Sequence, residues 1–332
     1  MVRTRGADER VVHSAESTPF RRSSMLLRNI YYLLKPAIPW TVRLALRRFR
    51  ARRLRRQFSS SWPINKVAAR APEGWLGWPD GKEFAFVLTH DVEGKRGLER
   101  CRRLAEMEMG LGFRSSFNFV PEGEYATPEP LRAFLSERGF EVGVHDLHHD
   151  GKLYRSLKTF KNDAQKINHY LTSWGAVGFR SAFMLHNLQW LQHLNILYDA
   201  STFDTDPFEP QPDCVNTIFP FWVPGKDGTG YVEFPYTLPQ DSTLFLVFQE
   251  KTIDVWKSKL DWVVAHGGLA LVNVHPDYMN FDGKRTSSEY GADLYKDFLE
   301  YVTNRYRSKC WFALPRDVAK YVRQHKPALP EW

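Results

Sequence analysis

The stretch FAFVLTHDVEG, residues 84–94, decides the fold class. Its first five residues are apolar, which is typical of a buried strand, and polar residues follow them at once. Asp91 and Glu93 lie two residues apart and therefore point the same way from an extended chain. Because catalytic loops emerge from the strand ends of α/β folds, one carboxylate can bind a metal while its neighbour acts as a base. The alternative is a turn or a helix cap before Gly94.

Further apolar runs alternate with helical patterns along the rest of the chain. The predicted strands are 84–89, 115–120, 141–145, 177–180, 231–236, 269–275 and 310–314. The predicted helices are 95–110, 128–138, 153–174, 187–194, 252–266, 288–307 and 315–324. This alternation predicts a mainly parallel sheet with crossover helices. The stretch 205–230, rich in Pro, Asp and Gly, is predicted to be a long loop near the catalytic edge.

The composition is that of a globular protein of enzyme size, with 332 residues, 43% hydrophobic and 25% charged. It excludes a disordered or fibrous chain. The net charge of +8 is unevenly spread, because residues 17–72 hold 14 Lys or Arg and no acidic residue, whereas residues 73–332 hold 29 basic and 35 acidic ones. The basic character therefore belongs to the N-terminal part, and we expect no nucleic-acid partner.

We predict two parts of the chain, a basic, partly helical N-terminal extension over residues 1–72 and a catalytic domain over residues 73–332. Within the extension, Leu46 and Phe49 lie among arginines at helical spacing. This pattern predicts peripheral contact with an anionic membrane surface through residues 25–56. The alternative, which stays open, is a solvated helix whose arginines cover the acidic body.

The cysteines and the first residues bear on the cellular compartment. Cys101, Cys214 and Cys310 form no Cys-x-x-Cys pair, so neither a disulfide framework nor a cysteine-rich zinc site is expected. The first ten residues lack the apolar core of a secretory signal. We therefore expect a cytoplasmic protein, peripheral at the inner membrane surface if the basic helix binds lipid.

The run EVGVHDLHHD, residues 141–150, predicts a metal site. His145 and His149 are four residues apart, so one turn of helix would place both imidazoles on the same face. With a carboxylate they would form a two-histidine, one-carboxylate site that leaves positions open for water and substrate. His148 is a competing candidate for the ligand role.

Taken in order, these runs resemble the motifs of the polysaccharide deacetylase family, the NodB-homology or carbohydrate esterase 4 group, over residues 84–320. The first family motif is a strand ending in Thr-Phe-Asp-Asp, which corresponds to residues 89–92 and implies that Asp91 is the catalytic base. Val92 replaces the usual metal-binding aspartate. Some relatives space these carboxylates as Asp-x-Asp, which implies that Glu93 is the metal ligand here.

The second and third motifs imply further parts of the site. The second, His-Ser/Thr-x-x-His, matches His145 and His149 and implies that both are metal ligands, with Asp146 where Ser or Thr is common. The third, Arg-Pro-Pro-Tyr, corresponds to residues 180–183. It implies that Arg180 orients the base and that the backbone N–H of Phe183 stabilises the oxyanion.

The last two motifs imply the general acid and supporting carboxylates. The fourth, an acidic loop, is similar to residues 199–206 and implies that Asp199 and Asp204 lie behind the catalytic groups. The fifth, a strand ending in a catalytic histidine, resembles the predicted strand that ends at His275. His275 would protonate the departing amine, and Arg180 would keep Asp91 ionised, because a neighbouring cation lowers the pKa of a carboxylate.

The resemblance implies an α/β fold, an irregular (β/α)7 barrel of the NodB-homology type with the basic helical extension before it. It implies a metal-dependent hydrolase that removes N-acetyl groups from an amino sugar in a polysaccharide or glycan intermediate. A divalent ion, expected to be Zn2+ with Co2+, Ni2+ and Fe2+ as alternatives, would polarise the amide carbonyl and lower the pKa of water.

Two other functions stay open on the sequence alone. Some relatives hydrolyse other non-peptide C–N bonds, in cyclic amides or ureides, on the same fold. A non-catalytic, glycan-binding relative is the second alternative, because Val92 and the pair Ser181 and Ala182 depart from the motifs. Aromatic side chains along a groove, for which Trp222 and Tyr278 are the candidates, would favour a saccharide.

Overall fold

Parallel strands form the sheet around which the chain folds, in a computed structural model that describes residues 40–283 and 285–330. The strands are β1 Phe84–Val92, β2 Ser116–Phe119, β3 Glu141–His145, β4 Gly178–Arg180, β5 Tyr198–Asp199, β6 Phe221–Pro224, β7 Gly230–Glu233, β8 Leu269–Val274, β9 Met279–Asn280, β10 Tyr290–Gly291 and β11 Cys310–Phe312. Seven of them lie side by side and parallel in the order β8-β1-β2-β3-β4-β5-β7. Strand β6 pairs antiparallel with β7, and β11 pairs with the first half of β1.

Helices connect successive strands of this sheet. They are α1 Trp40–Gln57, α2 Lys95–Gly110, α3 Glu129–Glu137, α4 Leu157–Trp174, α5 Asp254–Ala265, α6 Ala292–Tyr306 and α7 Pro315–His325. Helices α2, α3 and α4 link β1 to β2, β2 to β3 and β3 to β4, which is the crossover connection that parallel strands require. A short π-helix, Ser242–Val247, precedes α5.

Strand β1 is held by three neighbours. It pairs with β8 from Ala85 to His90, with β11 near its start and with β2 from Thr89 to Val92. All nine of its residues are buried, as expected for a parallel strand covered on both faces. Because successive side chains point to opposite faces, Val92 joins the hydrophobic cluster that contains residues of α2, while Asp91 points to the other face.

The segment that follows β7 forms hydrogen bonds with β8, the strand at the other end of the parallel order. The backbone N–H groups of Thr237 and Leu238 donate to the carbonyl oxygen of Leu271 at 3.3 and 3.2 Å. In return, the N–H of Leu271 donates to the hydroxyl of Thr237 at 3.0 Å. The sheet therefore curls round on itself, and the predicted irregular barrel of seven parallel strands is confirmed.

Most predicted elements are present, and the exceptions are short. All seven predicted strands form within a few residues of their predicted bounds, but the sequence misses the four short strands β5, β6, β9 and β10. Strand β6 lies within the predicted long loop, and β10 occupies the start of the predicted helix 288–307. The predicted helix 187–194 is wrong, since only a 3-10 turn at Trp190–His193 forms. Its start is occupied by a turn, because the side chain of Asn187 accepts the N–H groups of Gln189 and Trp190.

The predicted division of the chain at residue 72 stays a prediction. The chain forms one compact unit from Leu44 onwards. From Leu44 onwards, helix α1 belongs to the same compact unit as the sheet. Residues 1–39, which include the first part of the predicted membrane segment, lie outside the described residues. In the described ranges, no helix is both long enough and apolar enough to span a membrane.

Candidate active site

The carboxyl ends of four parallel strands bring most of the predicted residues together. Strands β1, β3, β4 and β8 each end within one residue of these side chains, which are Asp91, Glu93, His145, Arg180 and His275. Parallel pairing aligns these ends, since His145 of β3 lies in register with Arg180 of β4. The side chains of Glu93 and His149 are 23% and 14% exposed, whereas that of Asp91 is only 3% exposed. The cluster therefore opens to solvent on the side of Glu93 and His149.

Asp91 is held as a buried, ionised carboxylate. Its two oxygens accept hydrogen bonds from the side-chain amides of Asn118, at 3.1 Å, and Asn273, at 2.7 Å. The guanidinium Nε of Arg180 lies 3.4 Å from Oδ1. Burial alone would raise the pKa of Asp91, but the charges of Arg180, His145 and His275 outweigh it and lower that pKa to about 2. A carboxylate that stays ionised near neutral pH is suited to accept a proton.

Glu93, His145 and His149 form a set of ligand atoms that could hold one metal ion. One atom from each lies within 4.8 Å of the other two. The Nδ1–H of His145 donates to the carbonyl oxygen of Arg180 at 3.1 Å, which fixes the ring and leaves Nε2 as the ligand atom. That Nε2 is buried and has no hydrogen-bond partner in the part of the chain that the structure describes. Burial lowers the pKa of His145, which favours the neutral imidazole that a metal requires.

The two histidine ligands are brought together by a turn, so the predicted helical spacing is wrong. Strand β3 ends at His145, and both Asp146 and His149 adopt left-handed backbone conformations, with φ of 56° and 54°. Asp146 stabilises the turn, since its carboxylate accepts the N–H of Leu147 at 2.6 Å and that of Ala182 at 3.2 Å. Aspartate tolerates this conformation better than most residues because its short side chain bonds locally. The rings of His145 and His149 end 4.9 Å apart.

His275 is paired with a carboxylate that the sequence did not reveal. Asp241 accepts hydrogen bonds from both the backbone N–H of His275, at 2.8 Å, and its ring Nδ1, at 2.7 Å. Burial opposes protonation of His275, but the charge and hydrogen bond of Asp241 prevail and raise its pKa to about 10. Its Nε2 lies 4.0 Å from Asp91 and 3.9 Å from Glu93. The site therefore holds an ionised carboxylate and a protonated imidazole side by side.

Replacing Asp241 by asparagine is expected to move the alkaline limb of the pH profile of kcat/KM to lower pH. His275 must be protonated to act as an acid, and the negative charge of Asp241 raises its pKa, so removal of that charge lowers the pH at which the proton is lost. The measurement is a pH–rate profile of wild type and Asp241→Asn, with metal content as the control. An alkaline limb at the same pH in both proteins would contradict this role of Asp241.

The other predicted residues divide between the site and the core. The hydroxyl of Tyr278 donates to Glu93, and its ring lies 5.2 Å from that of His275, so Tyr278 is at the site. Trp222 is not, because it is packed in a core cluster with Lys326 4.8 Å above its ring. Phe183 follows Arg180 in a turn with φ of 57°, and its ring lies 4.6 Å from that of His149.

Asp199 and Asp204, the predicted supporting carboxylates, form their hydrogen bonds and ion pairs with residues other than Asp91 and His275. Asp199 accepts the hydroxyl of Ser201 at 2.8 Å, and Asp204 forms a buried ion pair with Lys259. Asn118, Asn273 and Asp241 instead contact the predicted base and acid directly. The sequence contains a signal for the two asparagines, since each is a polar residue within an apolar strand. Asp241 carries no such signal.

Comparison with known proteins bears on the fold. No protein-family model matches the chain, and no curated protein matches it either. A solved structure from Mycobacterium smegmatis, assigned to the polysaccharide deacetylases, is similar with a TM-score of 0.57 and 18% identity over 79% of this chain and 97% of that one. The peptidoglycan deacetylase PdaC from Bacillus subtilis, with a TM-score of 0.43 and 13% identity over 74% of this chain and 95% of that one, is a weaker match. The chain thus has the NodB-homology fold of the polysaccharide deacetylases.

Proposed function

We propose that the protein is a metal-dependent hydrolase that removes N-acetyl groups from an amino sugar in a polysaccharide or glycan intermediate. One observation carries the proposal. The carboxylate of Asp91 and the imidazole of His275 lie 4.0 Å apart beside a two-histidine, one-carboxylate ligand set. A base, an acid and an electrophile that act together on one amide bond accelerate its hydrolysis by water. The assignment of the similar Mycobacterium smegmatis structure to the polysaccharide deacetylases favours an acetamido sugar as the substrate.

Each residue has a task in the proposed reaction. His145, His149 and Glu93 would hold a divalent ion, for which we propose zinc, and that ion would supply a Lewis acid that polarises the amide carbonyl. Asp91 accepts a proton from the attacking water. His275 donates a proton to the departing nitrogen, so that acetate and a free amine are formed.

Two further groups assist these proton transfers. Arg180 and the two asparagines that contact Asp91 keep its carboxylate ionised and in one orientation. The backbone N–H of Phe183 is our candidate donor to the oxyanion, because it lies in the left-handed turn that directly follows Arg180.

The test is release of acetate by full-length, metal-loaded protein from N-acetylated amino sugars, their oligomers and a peptidoglycan fragment. Cyclic amides and ureides are offered in parallel as substrates of the alternative reaction. Acetate from a saccharide, lost in Asp91→Asn, would support the proposal. Turnover of a ureide alone, or saturable glycan binding with no turnover of any substrate, would replace it by one of the two alternatives.

We further propose that α1 binds the cytoplasmic surface of an anionic membrane and brings the site close to it. Leu46 and Phe49 on this helix are 57% and 75% exposed, and no acidic residue lies among its arginines. Exposed apolar side chains between cations suit the interface of an anionic bilayer. The three cysteines are free thiols, which is compatible with a cytoplasmic location.

Binding to vesicles tests this membrane contact. The double variant Leu46→Glu and Phe49→Glu is expected to bind vesicles that contain phosphatidylglycerol at least about tenfold more weakly than wild type at physiological salt. Leu76→Glu is the matched control, because Leu76 is 70% exposed outside this helix. The membrane contact would be refuted if wild-type protein did not bind such vesicles and if deletion of residues 25–56 left the distribution of the protein in cells unchanged.

A further inference from the structure

The turn that follows β8 lies against the end of β1. It spans residues 275–278, from the proposed general acid to Tyr278, and the N–H of Tyr278 donates to the carbonyl oxygen of His275 at 3.0 Å. Strands β8 and β1 are paired in parallel along the whole of β8. Their carboxyl ends therefore lie side by side, and the turn after β8 reaches Glu93, the proposed metal ligand that directly follows β1.

Asp277, in this turn, holds the main chain at Glu93. Its Oδ2 accepts the backbone N–H of Glu93 at 2.9 Å, and its Oδ1 accepts that of Gly97, in the first turn of α2, at 3.1 Å. The first N–H groups of a helix have no partner within the helix, and a carboxylate suits them. Gly97 leaves room for this contact, since a Cβ at that position would overlap the carboxylate of Asp277. Asp277 thus fixes the backbone from which the side chain of Glu93 projects.

Arg100 attaches the same turn to α2 at a second place. Its Nη1 donates to the carbonyl oxygen of Asp277 at 3.0 Å. Gly97 and Arg100 are three residues apart, so Asp277 is bound at two successive turns of the helix. The turn after β8 is therefore a built part of the site, held from both its carboxylate and its main chain.

Tyr278 holds the side chain of Glu93. Its hydroxyl donates to Oε2 of Glu93 at 2.5 Å, while its ring lies 5.2 Å from that of His275. The other carboxylate oxygen of Glu93, Oε1, lies 3.2 Å from Nε2 of His149 and 3.9 Å from Nε2 of His275. One oxygen of Glu93 thus faces the other ligand atoms and the proposed acid, and the second oxygen is bound by a hydroxyl.

A glutamate ligand needs such a restraint more than an aspartate does. Glutamate has one more rotatable bond, so fixing its carboxylate costs more conformational entropy. The side chain of Glu93 is also 23% exposed, so packing alone does not fix it. A hydrogen bond from Tyr278 orders the carboxylate before a metal binds, and a ligand that is already ordered binds more tightly.

We propose that Tyr278 is a positioning residue, which directs Oε1 of Glu93 toward the two histidine ligands by binding Oε2, while Asp277 fixes the main chain of Glu93. Hydrogen bonds to ligating carboxylates orient them and tune the affinity of a metal site. This inference rests on the proposed function only for the presence of the metal. It gives the hydroxyl of Tyr278 a role that does not depend on which substrate the enzyme takes.

The dissociation constants of Zn2+ and Co2+ are measured by competition with a chromophoric chelator on the full-length chain. Tyr278→Phe keeps the ring and removes the hydroxyl, and it is expected to raise both Kd values at least about tenfold. Tyr301→Phe is the matched control, because the hydroxyl of Tyr301 also donates to a carboxylate, that of Asp261 at 2.7 Å, but between α5 and α6. This control should leave both Kd values unchanged.

The same measurement in a Glu93→Ala background shows whether Tyr278 acts through Glu93. With the carboxylate gone, Tyr278→Phe should cause no further rise in Kd, which is the coupling expected of two residues in contact. A variant that only loosened the fold would raise the Kd in both backgrounds.

Gly97→Ala tests the part of Asp277. Alanine is the better helix former, so the substitution alone favours α2, but its Cβ displaces the carboxylate that holds Glu93. We expect the Kd of both ions to rise several-fold. Gly110→Ala is the control in the same helix, because a Cβ there has no atom within 4 Å, and it should leave the Kd unchanged.

Two results would overturn the inference alone. They are equal Kd values for Tyr278→Phe and wild type, and a loss of equal size with and without the carboxylate of Glu93. Wild-type protein that binds neither ion would overturn the metal-dependent function and the inference together, so the two failures are distinguishable.

Discussion

His145→Ala and His149→Ala are each expected to reduce the metal content of the purified protein from about one equivalent to near zero. Each substitution removes one of three ligand atoms that lie within 4.8 Å of one another, and only two protein ligands then remain. Glu93→Ala should weaken binding less, because a carboxylate at a partly exposed position is more easily replaced by water. Elemental analysis measures all four proteins without any knowledge of the substrate.

His148→Ala is the matched control for these variants. His148 lies in the same turn, but its side chain is 40% exposed and its Nδ1 contacts the carbonyl oxygen of Glu122 at 3.1 Å. Its loss should leave the metal content unchanged, and thermal melts show whether each variant is folded. If wild-type protein takes up no zinc, cobalt or nickel on reconstitution, the hydrolase mechanism fails and the non-catalytic, glycan-binding alternative becomes the better explanation.

Asp91→Asn is expected to lower kcat by about 10²–10⁴-fold, the usual contribution of a general base, while metal content stays the same. The amide cannot accept the proton of the attacking water. It also leaves the buried charge of Arg180 without its carboxylate, 3.4 Å away in the wild-type protein. The measurement is kcat for acetate release, with metal content determined on the same preparation.

Asp150→Asn provides the comparison for this variant. Asp150 is a carboxylate beside the same site, but its side chain is 36% exposed and pairs with Lys152. We expect it to retain the wild-type kcat. Activity of Asp91→Asn within a few-fold of wild type would mean that another group removes the proton, and Glu93 would be the next candidate because its Oε1 is also close to His275.

The strands and the strand-end residues could be predicted because their signals are local. Phe84–Val92 is a buried, mainly apolar run with polar residues at its end. Parallel pairing then places Asp91, His145, Arg180 and His275 at one edge of the sheet, irrespective of the conformation of the loops. The long connections could not be predicted in the same way. The short strands β5 and β6 have too few residues to show a periodicity.

The site features that the sequence did not reveal depend on contacts between segments that are distant along the chain. Asp241 becomes the partner of His275 only because the chain after β7 returns alongside β8. Asp146 and His149 both adopt left-handed conformations, and the carboxylate of Asp146 accepts a hydrogen bond from the turn after β4. The spacing of two histidines does not show this contact. Tryptophan is a residue type that often stacks on sugars, but Trp222 is packed against α7 and the residue that follows that helix.

The pairing of β1 with three strands fixes the main-chain positions of Asp91 and Glu93 in the active site. Asp91 and Glu93 are two residues apart at the end of this strand, so their Cα atoms are separated by one pleat repeat, about 6.8 Å. The main chain sets this separation, because sliding β1 by a residue would break its pairing with β8, β11 and β2 together. A new substrate preference is therefore expected to arise from the surrounding loops, while the Cα separation of the proposed base and metal ligand remains the same.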